Sequence, residues 1–180
     1  MRELFQLWSA SLTDKQIDDI VHAATCQPEQ GATIFASSEI VAETRVSTIR
    51  WLTEQWVQNL LWHYVRKANN DSFAIDVDNK AEMQFTEYYA EQGGHYDWHQ
   101  DIGPNIASHR KISLTVQLSD TNEYEDGNLQ IWRGGQAIDT VPRGAGNVVI
   151  FPSYMMHRVQ KVTKGTRRSF VLWIGGQHYK

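Results

Sequence analysis

Two segments in the first half of the chain carry apolar residues at helical spacing. The first follows Thr13 and Gln16, which match a capping box, and its apolar stripe consists of Ile17, Ile20, Val21 and Ala24. The second stripe consists of Trp56, Val57, Leu60, Leu61, Tyr64, Val65 and Ala68. These patterns predict helices over 13–25 and 54–68, and we expect Asn69-Asn70-Asp71 to end the second helix.

The rest of the pattern is typical of short strands. The run TRVSTIRWL is rich in β-branched residues and predicts a strand over 44–52, whereas 31–38 is a loop or a short strand. Further strands are predicted at 81–90, 95–100, 110–118, 127–133, 136–141, 147–151, 155–162 and 166–174. The turn-forming stretches EQGG, DTNEYEDG, RGG, PRGAG and TKG separate them. Eight short strands behind two helices predict a mainly β protein with flanking helices (α+β), a double-stranded β-helix or jelly roll whose N-terminal helices pack on its major sheet.

One of these strands, RKISLTVQLS, alternates regularly between apolar and polar residues. Ile112, Leu114, Val116 and Leu118 face one way, and Lys111, Ser113, Thr115 and Gln117 face the other. A regular polar face is exposed to solvent or lines a polar cavity. Exposure is the commoner case.

Length and composition limit the number of domains, the classes of partner and the location that we expect for this protein. A chain of 180 residues suits one domain, expected to span 1–180 with a helical support over 1–80 and a jelly-roll core over 81–175. The net charge of −4 argues against an extended electrostatic surface that binds nucleic acid. No apolar run suits a signal peptide or a membrane span, so we expect no membrane partner and a cytoplasmic location. The one cysteine, Cys26, can form neither an intrachain disulfide nor a thiolate zinc cluster.

Candidate metal ligands lie in the stretch HYDWHQD, which contains two His-x-Asp pairs. The pairs are His95 with Asp97 and His99 with Asp101. A histidine and a carboxylate two residues apart on a strand point to the same side. Either pair could therefore bind a metal, if a distant histidine joins it on the same face.

A third ligand and a cation follow later in the chain. His157 lies on a predicted strand, and Arg167 follows ten residues later, across a predicted hairpin turned by TKG. Two histidines and one carboxylate leave three positions open on iron(II), as in non-haem iron oxygenases. A cation beside such a site can bind the far carboxylate of a dicarboxylate that chelates the metal.

These residues, taken in order, resemble a known family. The stretch YDWHQD (96–101), then DGNLQI, then GNVVIFPSYMMHRVQKVTKGTRR is similar to the iron(II)/2-oxoglutarate dioxygenases, in particular the prolyl-4-hydroxylase-type branch with its small microbial and viral members. The resemblance covers roughly residues 81–175. It implies that His99 and Asp101, rather than His95 and Asp97, bind the metal together with His157, because the family places a tyrosine three residues before its ligand histidine.

The resemblance also implies a binding site for 2-oxoglutarate. Arg167 would pair with the distal carboxylate, and Arg168 is the alternative, since a shift of one residue in the hairpin would exchange their faces. Tyr89, ten residues before His99, matches a tyrosine of the family, and its neighbour Tyr88 would face the opposite side. Gln117 stands where several relatives have a tyrosine that binds the cosubstrate.

The activity that follows from this resemblance is hydroxylation of an unactivated C–H bond with iron(II), 2-oxoglutarate and O₂. Relatives that halogenate lack the ligand carboxylate, so Asp101 argues for hydroxylation. The expected substrate is a peptidyl prolyl residue. Alternatives are a free amino acid or other small molecule, nucleic-acid demethylation, which the acidic balance disfavours, and a non-catalytic jelly roll that binds sugar or protein.

Overall fold

Both predicted helices are present in the computed structural model, which describes residues 3–32 and 43–177. Helix α1 spans Asp14–Thr25, and the Thr13 side chain accepts a hydrogen bond from the Gln16 backbone N–H, as the capping box predicts. Helix α2 spans Gln55–Ala68. It does not end at once, because a wider π-helical turn, Asn69–Phe73, continues it. Neither helix is long and apolar enough to cross a lipid bilayer.

Thirteen strands among the described residues form two antiparallel sheets, which confirms the predicted mainly β fold. The larger sheet contains β1 (Gln6–Trp8), β2 (Gln30–Gly31), β4 (Thr48–Leu52), β5 (Ala81–Tyr89), β7 (Arg110–Gln117), β8 (Tyr124–Asp126), β11 (Val148–Pro152) and β13 (Val162–Gly175). The smaller sheet contains β3 (Arg45–Val46), β6 (His95–His99), β9 (Leu129–Gly134), β10 (Ala137–Thr140) and β12 (His157–Val159). The strand order is β1-β11-β7-β13-β5-β4-β2 in the larger sheet, where β8 pairs with β13, and β10-β9-β12-β6-β3 in the smaller sheet.

The first 80 residues supply more than helical support. Strands β1 to β4 belong to this part of the chain, and they extend both sheets. The predicted strand 44–52 corresponds to β3 and β4, which Ser47 separates. Most of the predicted loop or short strand at 31–38 lies outside the described residues.

The outer face of the larger sheet forms one core with the two helices. Ile20 and Leu61 from the helices are fully buried in the same cluster as Phe85 of β5 and Leu114 of β7. Burying such side chains is worth about 1.5–3 kcal/mol each. A second cluster, which includes Tyr88, Ile131 and Phe151, fills the space between the sheets.

The polar face of β7 is not exposed to solvent, although exposure is the commoner case. Every residue of this strand is buried. Its apolar side chains enter the core under the helices, while its polar side chains point between the two sheets. The helices cover the apolar face of β7. Its polar face is therefore the one that lines the space between the two sheets.

The predicted hairpin between His157 and Arg167 is also wrong. Thr163-Lys164-Gly165 lies within β13 rather than in a turn. Strand β12 belongs to the smaller sheet and β13 to the larger one, so the chain crosses between layers near Gln160 and Lys161. The inward or outward direction of Arg167 is therefore set by the pairing of β13 with β5 and β7, in which Arg167 lies opposite Tyr88.

Candidate active site

Three candidate ligands meet at one end of the smaller sheet. His99, the last residue of β6, lies opposite His157, the first residue of β12. Asp101 Oδ1 lies 3.7 Å from His99 Nε2, and Asp101 Oδ2 lies 3.5 Å from His157 Nε2. One ligand atom from each residue lies within 4.8 Å of the others. The set leaves one side of an ion open, which suits iron(II) that must bind further molecules.

Hydrogen bonds orient both imidazoles for metal binding. His99 Nδ1 lies 2.7 Å from the Asp97 carbonyl oxygen, and His157 Nδ1 lies 2.9 Å from that of Met155. Because a carbonyl only accepts, Nδ1 donates and Nε2 keeps its lone pair for a metal. The pKa of His99 is held well below its usual value, mainly by burial and to a smaller extent by the neighbouring His157 imidazole. The neutral, metal-binding form of His99 therefore prevails at neutral pH.

A β-bulge explains how Tyr96 and His99 share a face although they are three residues apart. Opposite them, β12 takes only the two-residue step from His157 to Val159. A β-bulge is such an irregularity, in which one strand has one residue more than its partner over the same stretch. It brings the Tyr96 ring parallel to the His99 ring, with centroids 3.4 Å apart, and the Arg45 guanidinium lies 4.5 Å from the centre of the Tyr96 ring. Burial raises the pKa of Tyr96 to about 12, so it remains a neutral phenol.

Asp101 is held by two buried serines. Its Oδ2 accepts a hydrogen bond of 2.6 Å from the Ser113 hydroxyl, and its backbone N–H donates to the Ser153 carbonyl oxygen at 2.9 Å. Burial alone would raise the pKa of Asp101, but the two ligand imidazoles, the Ser113 hydroxyl and Arg110 together lower it. The carboxylate is therefore ionised and ready to bind a cation.

Arg167 lines the same cavity as the three candidate ligands. Only 1% of the residue is exposed, and its guanidinium donates to Gln117 Oε1 at 2.8 Å and to Ser169 Oγ at 3.3 Å. The Tyr88 ring lies 5.4 Å from the guanidinium carbon. In the described part of the chain Arg167 has no acidic partner, and its Nε lacks a hydrogen-bond acceptor. A buried cation with an unused donor fits an anionic ligand.

Arg168, the alternative to Arg167, lies outside the cavity. It pairs with Glu87 at 3.2 Å and with Glu123 at 3.2 Å. Its charge is therefore already neutralised on the outer face of the larger sheet.

The prediction that Tyr89 faces the cavity and Tyr88 faces away is wrong. Tyr88 is 4% exposed and lines the cavity, whereas Tyr89 borders a surface groove with Gly165 and Thr166. Directly opposite residues of an antiparallel pair share a face, so the inward Arg167 requires an inward Tyr88. Counting back from His99 crosses a 3₁₀ turn, Ala90–Gln92, where strand alternation does not hold.

The other His-x-Asp pair does not reach the cavity. Asp97 is exposed, and His95 approaches the carbonyl oxygens of Gly93 and Glu43. Both border a separate surface groove with Arg158 and Lys161. The structure thus brings together His99, Asp101, His157, Arg167 and Gln117, and leaves His95, Asp97 and Tyr89 outside.

The family model of the 2OG-Fe(II) oxygenase superfamily matches residues 83–175, just over half of the chain. The chain belongs to the 2OG-Fe(II) oxygenase superfamily.

Relatives of this chain include PKHD-type hydroxylases. The one from Synechococcus sp. (strain CC9605) is 38% identical over 82 residues, which cover 46% of this chain and 37% of that protein. The one from Teredinibacter turnerae is 40% identical over 89 residues, covering 46% of this chain and 38% of that protein. The chain thus matches less than two fifths of the length of these relatives.

Solved structures resemble this chain over nearly its whole length. A Pseudomonas putida prolyl-4-hydroxylase has a TM-score of 0.76 and 19% identity, and the match covers 96% of this chain and 92% of that one. A Trichoplax adhaerens prolyl hydroxylase, solved in complex with a hypoxia inducible factor peptide fragment, has a TM-score of 0.80 and 13% identity, covering 96% and 84%. At such identities the likeness shows a shared fold.

Some residues in and beside the cavity were not identified from the sequence. They are Arg45, Tyr88, Trp173 and, beside the cluster, Ser113. Ser113 belongs to the regular polar face of β7, so that face itself was the available signal. Arg45 lies on a two-residue strand, too short for a pattern to reveal which way it points.

Proposed function

We propose that this chain is an iron(II)/2-oxoglutarate-dependent hydroxylase. The observation that carries the proposal is one buried cavity with an open-sided His-Asp-His cluster and a buried arginine that has no acidic partner among the described residues. 2-Oxoglutarate needs both features, because one end chelates a metal and the other ends in a carboxylate. When bound, iron(II), 2-oxoglutarate and O₂ supply the oxidising chemistry that converts C–H to C–OH.

Four polar residues of the cavity and one beside it have a role in this proposal. His99, Asp101 and His157 hold the iron, with their orientations set by the hydrogen bonds described above. Arg167 binds the distal carboxylate, and Gln117 holds the guanidinium in place for it.

Apolar walls protect the cluster from water. The Phe151 ring lies 4.7 Å from the His157 ring and is fully buried, and Tyr96 covers His99 from the other side. Excluding water strengthens the charge interactions in the cavity and protects the oxidant from side reactions.

We further propose a peptidyl prolyl residue as the substrate. The relatives that match the chain include PKHD-type hydroxylases, and the fold is that of solved prolyl hydroxylases. The cavity wall includes Trp173, whose ring lies 6.0 Å from the partly exposed Trp51. Its Nε1 has no hydrogen-bond acceptor in the part of the chain that the structure describes. An aromatic wall with an unused donor suits a flat, apolar proline ring beside a peptide carbonyl. The partner would then be a peptide or protein.

The test compares substrate classes on the iron-loaded protein. Proline-containing peptides, free proline and other free amino acids are each incubated with 2-oxoglutarate and O₂, and succinate release is measured together with the mass gain of one oxygen atom. We expect coupled succinate and product formation with a peptide. Coupled turnover with a free amino acid alone would assign a small-molecule substrate.

Two variants make this test specific. Asp101→Ala removes the anionic ligand and should abolish succinate formation, whereas His95→Ala, on the outer surface, should behave as the wild type. If both variants turn over normally, the assigned ligand set is wrong.

A further inference from the structure

The buried Ser113 hydroxyl contacts the carboxylate of Asp101, and the buried Ser153 hydroxyl contacts that of Ser113. Ligation of a metal alone does not account for this pair of hydroxyls. Ser113 Oγ donates to Asp101 Oδ2 at 2.6 Å and lies 3.0 Å from Ser153 Oγ. Both serines are fully buried, and 4% of Asp101 is exposed. Water therefore cannot readily replace the Ser113 hydroxyl if it is removed.

The orientation of this carboxylate decides how many positions the cluster leaves open. Asp101 has one oxygen near each imidazole, with Oδ1 closest to His99 and Oδ2 closest to His157. In an octahedral site, three protein atoms leave three positions, which two-atom chelation by 2-oxoglutarate and one O₂ fill. A carboxylate that bound through both oxygens would leave no position for O₂.

We propose that Ser113 is a positioning residue that holds Asp101 as a one-oxygen ligand, an inference that rests on the proposed function. Its hydroxyl engages Oδ2 and so fixes rotation of the carboxylate, which leaves Oδ1 directed at the metal. Ser153 supports this arrangement twice, through its hydroxyl contact with Ser113 and through its carbonyl oxygen, which accepts the Asp101 N–H. Strand β7 thereby controls a ligand that belongs to the smaller-sheet side of the cavity.

The first experiment measures binding of Mn(II) alone to the full chain by electron paramagnetic resonance. Ser113→Ala should weaken Mn(II) binding about tenfold, at the lower end of losses known for outer partners of metal ligands. Ser113→Thr, which keeps the hydroxyl, should stay within about threefold of the wild type. In an Asp101→Ala background, Ser113→Ala should have no further effect, because the carboxylate that it positions is absent.

Ser113→Cys separates positioning from packing. Cysteine fills nearly the same volume but is a weak donor, so it should resemble Ser113→Ala in Mn(II) affinity while folding like the wild type. The matched control is Ser119→Ala. Ser119 is equally buried and lies just beyond the end of β7, where it bonds to the backbone of Thr166 and Arg168 instead.

A spectroscopic readout then addresses coordination directly. The visible absorption of the Co(II)-substituted protein depends on the number of ligands, and Ser113→Ala and Ser113→Cys should change its intensity while Ser119→Ala should not. Wild-type affinity and spectrum in both Ser113 variants would overturn the positioning role. If Asp101→Ala itself binds Mn(II) as well as the wild type does, the ligand set of the proposed function fails instead.

Discussion

Two consecutive arginines illustrate how strongly one residue's position determines its chemistry. Arg167 is buried beside Gln117 and has no acidic partner within residues 3–32 and 43–177, whereas Arg168 is neutralised by Glu87 and Glu123. We expect Arg167→Ala to raise the apparent KM for 2-oxoglutarate at least about tenfold, because loss of one charged hydrogen bond costs about 1.5–3 kcal/mol and about 1.4 kcal/mol is one decade. Steady-state kinetics with varied 2-oxoglutarate measures this.

The control for that prediction is its neighbour. Arg168→Ala should leave the KM for 2-oxoglutarate within about twofold, because its side chain faces away from the cavity. A larger KM defect in Arg168→Ala than in Arg167→Ala would contradict the assigned register. Unchanged kinetics in both would argue against the cosubstrate itself.

The environment of His99 predicts a pH dependence of stability in the metal-free protein. Its folded-state pKa is depressed by burial, so below the unfolded value of about 6.5 the unfolded chain binds a proton that the folded chain does not. The contribution of His99 is therefore present above about pH 6.5 and is lost as pH falls, by at most about 1.4 kcal/mol per pH unit. Urea denaturation at pH 7.5 and 5.5 tests this, and His99→Gln should show a shallower dependence on pH. An equal dependence in both proteins would contradict it.

At the scale of elements, a charge network joins three strands on the outer face of the larger sheet. Glu87 of β5 forms ion pairs with Arg50 of β4 and Arg168 of β13. Because 5% of Glu87 is exposed, its removal leaves two cations partly desolvated. Glu87→Gln should lower the free energy of unfolding by about 3 kcal/mol.

Urea denaturation compares this variant with Glu123→Gln, which removes an exposed pair to the same Arg168. That control should cost less than about 1 kcal/mol. Equal losses in the two variants would show that burial of Glu87 does not set the strength of its pairs.

Element type was readable from the sequence, but the direction of side chains was readable only in part. The stripes of α1 and α2 and the alternation in β7 are local patterns, and each corresponds to an observed element. Which face of β7 is solvated depends on the helices, a tertiary fact. The bulge in β6 and the 3₁₀ turn after β5 break the alternation on which residue counting relies, so Tyr88 and Tyr89 were exchanged.

The candidate site was more predictable than its supporting residues. The three candidate ligands and Arg167 were found because their spacing matches a family, although the hairpin expected to join His157 to Arg167 does not exist. Arg45 acts through a contact with Gln84 of the other sheet, which leaves no trace in local sequence. Ser113 lies on the polar face of β7, which was visible in the sequence although its partner Asp101 was not.

At the scale of the whole molecule, one hydrophobic cluster lies between the helices and the larger sheet, and the other lies between the two sheets, beside the cavity. Changes in the first cluster should therefore affect stability more than metal binding. Leu61 is fully buried between α2 and the outer face of the larger sheet, on the side away from the cavity. Leu61→Ala should lower the free energy of unfolding by about 2–5 kcal/mol but leave Mn(II) affinity within about twofold.

Urea denaturation followed by circular dichroism and a metal titration test the two halves of this prediction. Arg66→Ala, on the exposed face of the same helix, should change stability by no more than about 0.5 kcal/mol. Loss of Mn(II) binding in folded Leu61→Ala would mean that the two clusters are not independent.

The two anchoring points proposed for 2-oxoglutarate belong to different sheets, since His99 and His157 lie on β6 and β12 while Arg167 lies on β13. A bound cosubstrate would link the two sheets and reduce their motion relative to each other. Backbone amides of β6 and β12 should then exchange with deuterium more slowly when metal and 2-oxoglutarate are both present than with either alone. Bound 2-oxoglutarate would therefore stiffen the protein that consumes it, and each turnover would loosen the connection between the two sheets again.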